Sequence, residues 1–491
     1  MTVDRRSAAR MMVWSAVENG GLTVVSFLSL VIYSRFLSPA DFGLFSIVNA
    51  IVELLGLFVG MLFHDALIQR PEVTPLHFDS AFTFTLFLSV VLFAGCALCG
   101  PLFAHIVGNP LGAGVLTWTA LYFPATAITA TVVPQQKRRL QFRRLALRSL
   151  VGRISGAVLG IALVAGGAGI WGLVAQQVLI ALVRSLVLWV TADEHPRLRF
   201  RFAEFRSVVG FGLYALGGVF LTFSISRIFT IVAGVALGTK RAGYLNLSFR
   251  AVDMLWALAS TTVLQVALPV MSRLQYQPER LRRAYASGLS LACLTLFPCF
   301  VGIAMTAPEI VELLFGRAWL PSCPYITALA LVILVRAPKQ LGPPVLTAVG
   351  RPQDTLISAG VEMAVMLALL AISGARSLPW VVAIWAAREI LPAPVLAFLL
   401  KRASGIRYVD QVLGALGPLA ASAAMGASLW VLRAFLLPPS SAPGIRLVVL
   451  IPAAAAVYLG VAYFIDRQSV VDVLEFAWSA TRRNRDQPAL S

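Results

Sequence analysis

The chain has 491 residues, of which 59% are hydrophobic and 13% charged, about half the charged share of an ordinary soluble domain. Apolar runs near the length that crosses a bilayer core recur along it. A soluble globule is excluded, and the net charge of +18 fits topology-setting loops and anionic lipid better than nucleic acid.

The first apolar run, 11–33, carries Glu18 and is long enough to span, so it reads as a retained first helix and not as a cleaved leader. Further runs follow at 42–64, 80–106, 113–134, 147–168, 170–191, 207–236, 243–268, 284–307, 320–342, 354–374, 378–400, 411–437 and 446–465. Only "GGAGI" separates the fifth from the sixth. Backbone polar groups find no water in hydrocarbon, and the runs are too long for barrel strands. An all-α polytopic membrane protein of about 14 transmembrane helices is expected. Cys96 and Cys99 have redox-motif spacing, but they lie in an apolar run without a nearby histidine, so packing is the expected role. No cofactor and no metal are expected.

With the N-terminus placed in the cytoplasm, 28 of the 40 Lys and Arg residues fall in inner segments, Arg336 and Lys339 among them, and seven in outer ones. That bias predicts both termini on the cytoplasmic side.

The chain also repeats itself. "LSPADFGLFSIVNAIVELL", from Leu37, aligns without a gap to "LGTKRAGYLNLSFRAVDML", from Leu237. Gly43 meets Gly243, Val52 meets Val252, and Glu53 meets Asp253. "SPAD" predicts a helix start, with Ser38 as N-cap, Pro39 in the first turn and Asp41 reaching back; Thr239 can cap the second copy. Gly43 and Gly243 stand in first turns, where a small residue lets backbones approach. "PLFAHIVG" (101–108) is echoed by "PEIVELLFG" (308–316), and the basic segment after Pro134 by "GRPQD" after Pro344. Six spans separate the copies, so the halves point the same way. The expected organisation is a six-helix lobe over 1–206, a second over 207–402, and two additional helices with a cytoplasmic tail over 403–491.

"SRFLSPADFGLFSIV", "ALIQRPEV", "VPQQKRRLQFRRLAL", "GIWGLVAQQVL", "LGTKRAGYLNLSFRAVDM", "VALPVMSRLQ" and "LFGRAWLPSCPYITALAL" resemble, in order, the signature segments of polysaccharide transporters of the MOP superfamily, most closely the Wzx-type flippases. The resemblance covers about residues 10 to 400. It implies two six-helix lobes in a bacterial inner membrane and alternating access. The implied substrate is an undecaprenyl-pyrophosphate-linked oligosaccharide, moved from inner to outer leaflet for exopolysaccharide or lipopolysaccharide synthesis. A polysaccharide polymerase and chain-length machinery are the partners such a role would bring, beside membrane lipids.

A charge near the bilayer centre costs about 2.5–3.5 kcal/mol on the mildest scale, so it faces protein or water. Arg153, Arg227, Arg250 and Arg388 are the candidate substrate-binding residues, because a guanidinium fork suits a pyrophosphate. They would line a hydrated cavity between the lobes. Glu18, Glu53, Asp253 and Glu362 are the candidates for a coupling ion. Plainer readings stand beside these. Arg250 and Asp253 are three apart on one helix and suit a local pair, and Arg184 can snorkel to the inner surface. Arg388 and Glu389, as sequence neighbours, each need another partner. The glycines before Arg227 (Gly210, Gly212, Gly217, Gly218) suit either a bent gate helix or close packing. The cluster "KRRLQFRRLALR" (137–148) reads as an amphipathic surface helix, serving as a topology anchor or a phosphate funnel. A cation-coupled multidrug exporter would instead want carboxylates and aromatics. A glycan polymerase would want a catalytic constellation, which the short loops and four scattered histidines do not offer.

Overall fold

A computed structural model describes residues 5–435 and 441–465, with the side chains of 5–19, 258, 261–266 and 269 left out; the candidate Glu18 therefore lies outside the described residues. The helices are α1 (Arg5–Phe36), α2 (Pro39–Met61), α3 (His64–Gln69), α4 (Pro75–Val107), α5 (Leu111–Thr119), α6 (Tyr122–Ala127), α7 (Val132–Arg138), α8 (Phe142–Ala165), α9 (Ile170–Thr191), α10 (Phe202–Leu237), α11 (Thr239–Leu274) and α12 (Pro278–Leu314). A 3₁₀ turn (Arg317–Ser322) leads into α13 (Cys323–Lys339), α14 (Gly342–Ala348), α15 (Pro352–Ser373), α16 (Leu378–Ile390), α17 (Ala393–Ser404), α18 (Leu413–Phe435) and α19 (Pro443–Ile465). No strand occurs among the described residues.

Among the described residues, every predicted run falls mainly on helix. Eleven spans are long and apolar enough to cross a membrane, or twelve if α5 to α7, bent by 42°, count as one. The shorter stretch Gly20–Phe36 of α1 is apolar, and α11 is not among the eleven, so the structure supports eleven to twelve of the fourteen expected spans. The fourth run is not one helix but three. Pro124 and Pro134 remove backbone donors there, and Thr129 bonds across to Ser185 (3.1 Å).

The chain forms two compact units. One runs to Asn246 and includes Ala375–Leu378; the other comprises Leu247–Gly374 and the chain from Pro379. In the first, Leu57, Phe63, Leu67, Val208 and Leu216 build a core where α2, α3, α4 and α10 meet. Phe63, Phe84 and Phe205 stack there pairwise. In the second, α12, α18 and α19 share a core of Leu294, Val301, Met425, Leu429 and Leu450, and the Tyr458 hydroxyl donates to the Leu294 carbonyl (2.8 Å).

Glycine stripes set how closely helices pack. Gly152, Gly156 and Gly160 stand four apart on α8, facing α9. A Cβ on Gly156 would fall 2.9 Å from the Gln176 carbonyl oxygen, and one on Gly160 2.9 Å from that of Gly172. Such a stripe lets two backbones touch.

The start of α2 forms as "SPAD" predicts. The Asp41 backbone N–H donates to the Ser38 hydroxyl (3.3 Å), and the Ser38 N–H donates to the Asp41 carboxylate (3.1 Å). The second copy departs from expectation. Thr239 does not precede α11 but opens it, because Gly238 alone, at φ +81, joins it to α10. The echo of "GRPQD" has a backbone counterpart: Leu140 (φ 56) and Gly350 (φ 78) both take the left-handed turn after a short helix, α7 and α14. Leucine pays strain of roughly 1 kcal/mol there that glycine avoids.

The two repeat glycines meet each other. A Cβ on Gly43 would overlap the Thr239 carbonyl oxygen and lie 2.7 Å from the Gly243 nitrogen; one on Gly243 would lie 2.6 Å from the Pro39 carbonyl carbon. The first turns of α2 and α11 thus cross backbone to backbone within the first unit. Gly43→Ala and Gly243→Ala are each expected to cost about 1–3 kcal/mol, since backbone cannot yield like a side chain. Gly95→Ala, with nothing within 4 Å, is the control and should be neutral or stabilising. Thermal unfolding in detergent reads both.

Candidate functional site

A cavity of about 600 Å³ opens in the first unit, lined by α2, α3, the broken α6–α7 segment, α8, α9 and α10. Its floor depends on the glycines of α2. Gly56 lies against the Tyr122 ring, where a Cβ would come within 2.8 Å, and Gly60 has nothing within 4 Å. Three cations line it, Lys137 from the end of α7, Arg148 from α8 and Arg184 from α9, together with hydroxyls of Thr126, Thr129, Ser149 and Ser185. Glu53 is the one lining glutamate.

Two more arginines approach Glu53. Arg227 from α10 places Nη2 2.6 Å from Glu53 Oε2, with its guanidinium 4.9 Å from the Phe223 ring centre. Asn49, one turn earlier on α2, donates to Glu53 Oε1 (2.9 Å). Arg153 is within electrostatic reach of Glu53, Arg184 and Tyr33. The α8–α9 glycine stripe explains why Arg153 and Arg184 come near each other at all: Gly152 leaves room against the aliphatic part of Arg184. Arg227 and Arg153 thus act on Glu53, and Lys137, Arg148 and Arg184 line the same cavity, a strong field for a guest anion.

The basic cluster is split between roles and is not a continuous surface helix. It breaks at Arg139–Gln141, where Leu140 takes its left-handed turn. Arg138 turns away to the end of α3, donating to the carbonyls of Leu67, Ile68, Arg70 and Pro71 at 2.6–3.2 Å. Arg139 pairs with Glu194 (2.6 Å) and Arg144 with Asp193 (3.0 Å). The hydrogen-bonded Arg144 holds the Asp193 carboxyl below its ordinary range.

The second unit buries charge differently. Lys339 Nζ sits between Glu362 Oε1 (2.8 Å) and Glu389 Oε2 (2.9 Å), and also donates to the Glu389 carbonyl oxygen (3.1 Å). Arg388 pairs with Glu362 (3.3 Å) and with its neighbour Glu389, and lies 3.9 Å over the Trp385 ring. Two cations and two carboxylates cancel, and Arg388 and Glu389 side chains are only 7% and 6% exposed. Asp253 takes Arg336 of α13 (3.3 Å), which stacks on Trp256 at 4.7 Å.

Residues 32–324 match the family model described as polysaccharide biosynthesis protein. The chain belongs to that family. Among family relatives, it is 26% identical over 352 residues to the succinoglycan biosynthesis transport protein ExoT of Rhizobium meliloti, covering 71% of each chain. It is 23% identical over 336 residues to the lipopolysaccharide biosynthesis protein WzxC of Escherichia coli, covering 66% of each. In fold it resembles the solved lipid II flippase MurJ in an inward closed conformation, with a TM-score of 0.75 at 15% identity over 93% of this chain and 99% of that one.

The structure brings together Arg153, Arg227 and Glu53 of the expected residues, and gathers Glu362 and Arg388 separately. Arg250 lies on α11, two turns along from Gly243. Three features escaped sequence reading. Arg336 and Lys339, counted as inner-loop cations, lie on α13 within the apolar span Arg317–Ala348. Arg388 and Glu389 do touch, because the long arginine folds back over its own turn while each also finds the partner that was expected. The third is that Lys137 and Arg148, read within one surface helix, and Arg184, read as snorkelling to the inner surface, line one cavity; the GxxxGxxxG pattern on α8 was the signal that could have placed Arg184.

The two charge groups should respond oppositely to neutralisation. Lys339→Met leaves buried carboxylates short of a cation and should cost about 3–5 kcal/mol. Arg184→Gln removes one of several like charges, and should leave the thermal midpoint unchanged or raised. A single detergent unfolding series compares them.

Proposed function

We propose that this protein flips a lipid-linked oligosaccharide with a pyrophosphate head, of the undecaprenyl class, from the inner to the outer leaflet of the bacterial inner membrane. The observation that carries this is the surplus of cations in the first-unit cavity. A charged, hydroxylated head cannot cross about 30 Å of hydrocarbon unaided. A cavity that offers guanidinium forks and hydroxyls, open to one face at a time, replaces the water the head gives up. Family membership and the flippase-like fold support the same reading. The exporter alternative wants carboxylates for cationic drugs, whereas the single lining glutamate here is already engaged by Arg227.

Arg153, Arg184 and Arg227, with Lys137 and Arg148, are the proposed anion ligands. The expected lobes, 1–206 and 207–402, supply the halves whose rearrangement changes access, and 403–491 adds two helices. Polymerase and chain-length machinery would receive the product outside. Arg184→Ala and Arg227→Ala should each lower surface polysaccharide at least about tenfold at normal protein abundance, as loss of a charge-assisted contact implies. Lipid-linked repeat units should accumulate on the cytoplasmic face, and lysine at either position should rescue only in part. Export at wild-type rates in both alanine variants would remove the anion site.

The proposed orientation puts both termini inside. In a cysteine-free background, Lys240→Cys should react with an impermeant maleimide on intact cells, and Gln277→Cys only after permeabilisation. Reversed labelling would invert the topology.

A further inference from the structure

The anion site contains an anion already. Glu53 is 26% exposed at the cavity wall, and Arg227, its partner, is 32% exposed. Their contact is close but incomplete. Although 2.6 Å separates Oε2 from Nη2, Oε2 makes no in-line hydrogen bond, and the buried Arg227 Nε has no acceptor. A buried donor left unmade is costly, so Arg227 is held by Glu53 without being satisfied by it. Arg153 is within electrostatic reach of both Glu53 and Arg184, and neither Arg153 nor Arg184 forms an ion pair among the described residues. One carboxylate from α2 thus contacts Arg227 of α10 and lies near Arg153 of α8, an arrangement that suits a place-holder better than a structural lock. The Lys339–Glu362–Arg388–Glu389 group shows what a lock looks like in this chain: two charges of each sign, each cation touching both carboxylates.

We infer that Glu53 is a resident counter-ion that the substrate's phosphate must displace from Arg227, and that its return helps to expel the substrate. This rests on the reading of the cavity as a pyrophosphate site. In the empty cavity, Glu53 partly neutralises the cation cluster and keeps α10 against α2. An arriving pyrophosphate carries more charge and more acceptor oxygens, and it can also reach the Nε that Glu53 leaves unmade. Asn49 keeps hold of Oε1 meanwhile, so the displaced carboxylate stays within reach. Without the competitor, binding would be tighter and release slower. Glu53 is therefore a positioning residue that trades affinity for turnover.

The test separates affinity from turnover. Purified full-length protein in nanodiscs is titrated with farnesyl pyrophosphate as the probe, and export is followed in cells carrying the same variants. Glu53→Gln keeps the shape and the Asn49 contact. It should bind the probe about tenfold tighter or more, as removal of a competing charged partner implies, while export falls. Glu53→Asp should restore wild-type behaviour in part, and Arg227→Ala should abolish the difference between glutamate and glutamine at residue 53. Equal affinity of wild type and Glu53→Gln, with both folded by thermal unfolding, would overturn the counter-ion role and leave the flippase reading intact. Weaker binding by Glu53→Gln would overturn it as well, because Glu53 would then be supporting the site. No binding by wild type or by any variant would overturn the pyrophosphate site itself, and this inference with it.

Discussion

A guanidinium held inside an apolar bundle must find its counter-charge, or water, within the protein, and most of this structure follows from how that demand is met. Two answers coexist in one chain. In the second unit the demand is met internally, by Lys339 and Arg388 against Glu362 and Glu389, with aromatic faces beneath the arginines. Neutral, buried and tied across α13, α15 and α16, that group holds helices in place and has little left for a guest. In the first unit the balance differs: Glu53 answers Arg227, and Lys137, Arg148 and Arg184 line a cavity in which Glu53 is the one lining glutamate. That excess of positive over negative lining charge is the physical basis for attracting an anion.

The surplus can exist only because the backbone permits it. Like charges repel, and the approach of Arg153 to Arg184 needs a compensating contact. The α8–α9 stripe of Gly152, Gly156 and Gly160 supplies it as close backbone packing, which in a membrane replaces the missing hydrophobic drive between helices. The break between α6 and α7 has a related role. It exposes Thr129 and the end of α7 to the cavity, so Lys137 projects inward while the next residue, Arg138, turns back to cap α3. One basic run thereby divides its labour residue by residue, which no reading of it as a single patch would separate.

Local features of the fold were legible in the sequence and tertiary pairings were not. The Ser38–Asp41 capping box depends on four consecutive residues, and the sequence states it fully. The Gly43–Gly243 crossing was visible as a repeat, although only the structure shows the two glycines touching each other. Arg336 and Lys339 were counted with the inner segments although they fall within the predicted run 320–342, and the structure keeps both on α13. The break near Pro124 and Pro134 was missed, because the apolar run around them hid it. Partner choice was the hardest part. Asp253 suits a local pair with Arg250, three residues away, but its contact with Arg336, 83 residues on, is not readable from spacing. The cavity lined by α2, α6 to α10 and α3 was not readable, since many of the residues that shape it are glycines and hydroxyls that carry no charge signal.

The repeat gives this asymmetry its meaning. Glu53 and Asp253 occupy equivalent positions, and each holds an arginine, yet the settings differ. Glu53 lines a cavity with excess positive charge. Asp253 is more exposed, and its arginine is also occupied by the Trp256 face. Duplication would begin with two equal carboxylates. A cycle that must bind on one side and let go on the other gains from making them unequal, because a site that is satisfied in both states cannot discriminate between loaded and empty. Concentrating the mismatch at Glu53 and Arg227, and neutralising the buried group in the other unit, makes the first-unit cavity a place where the arrival of an anion changes the electrostatic balance.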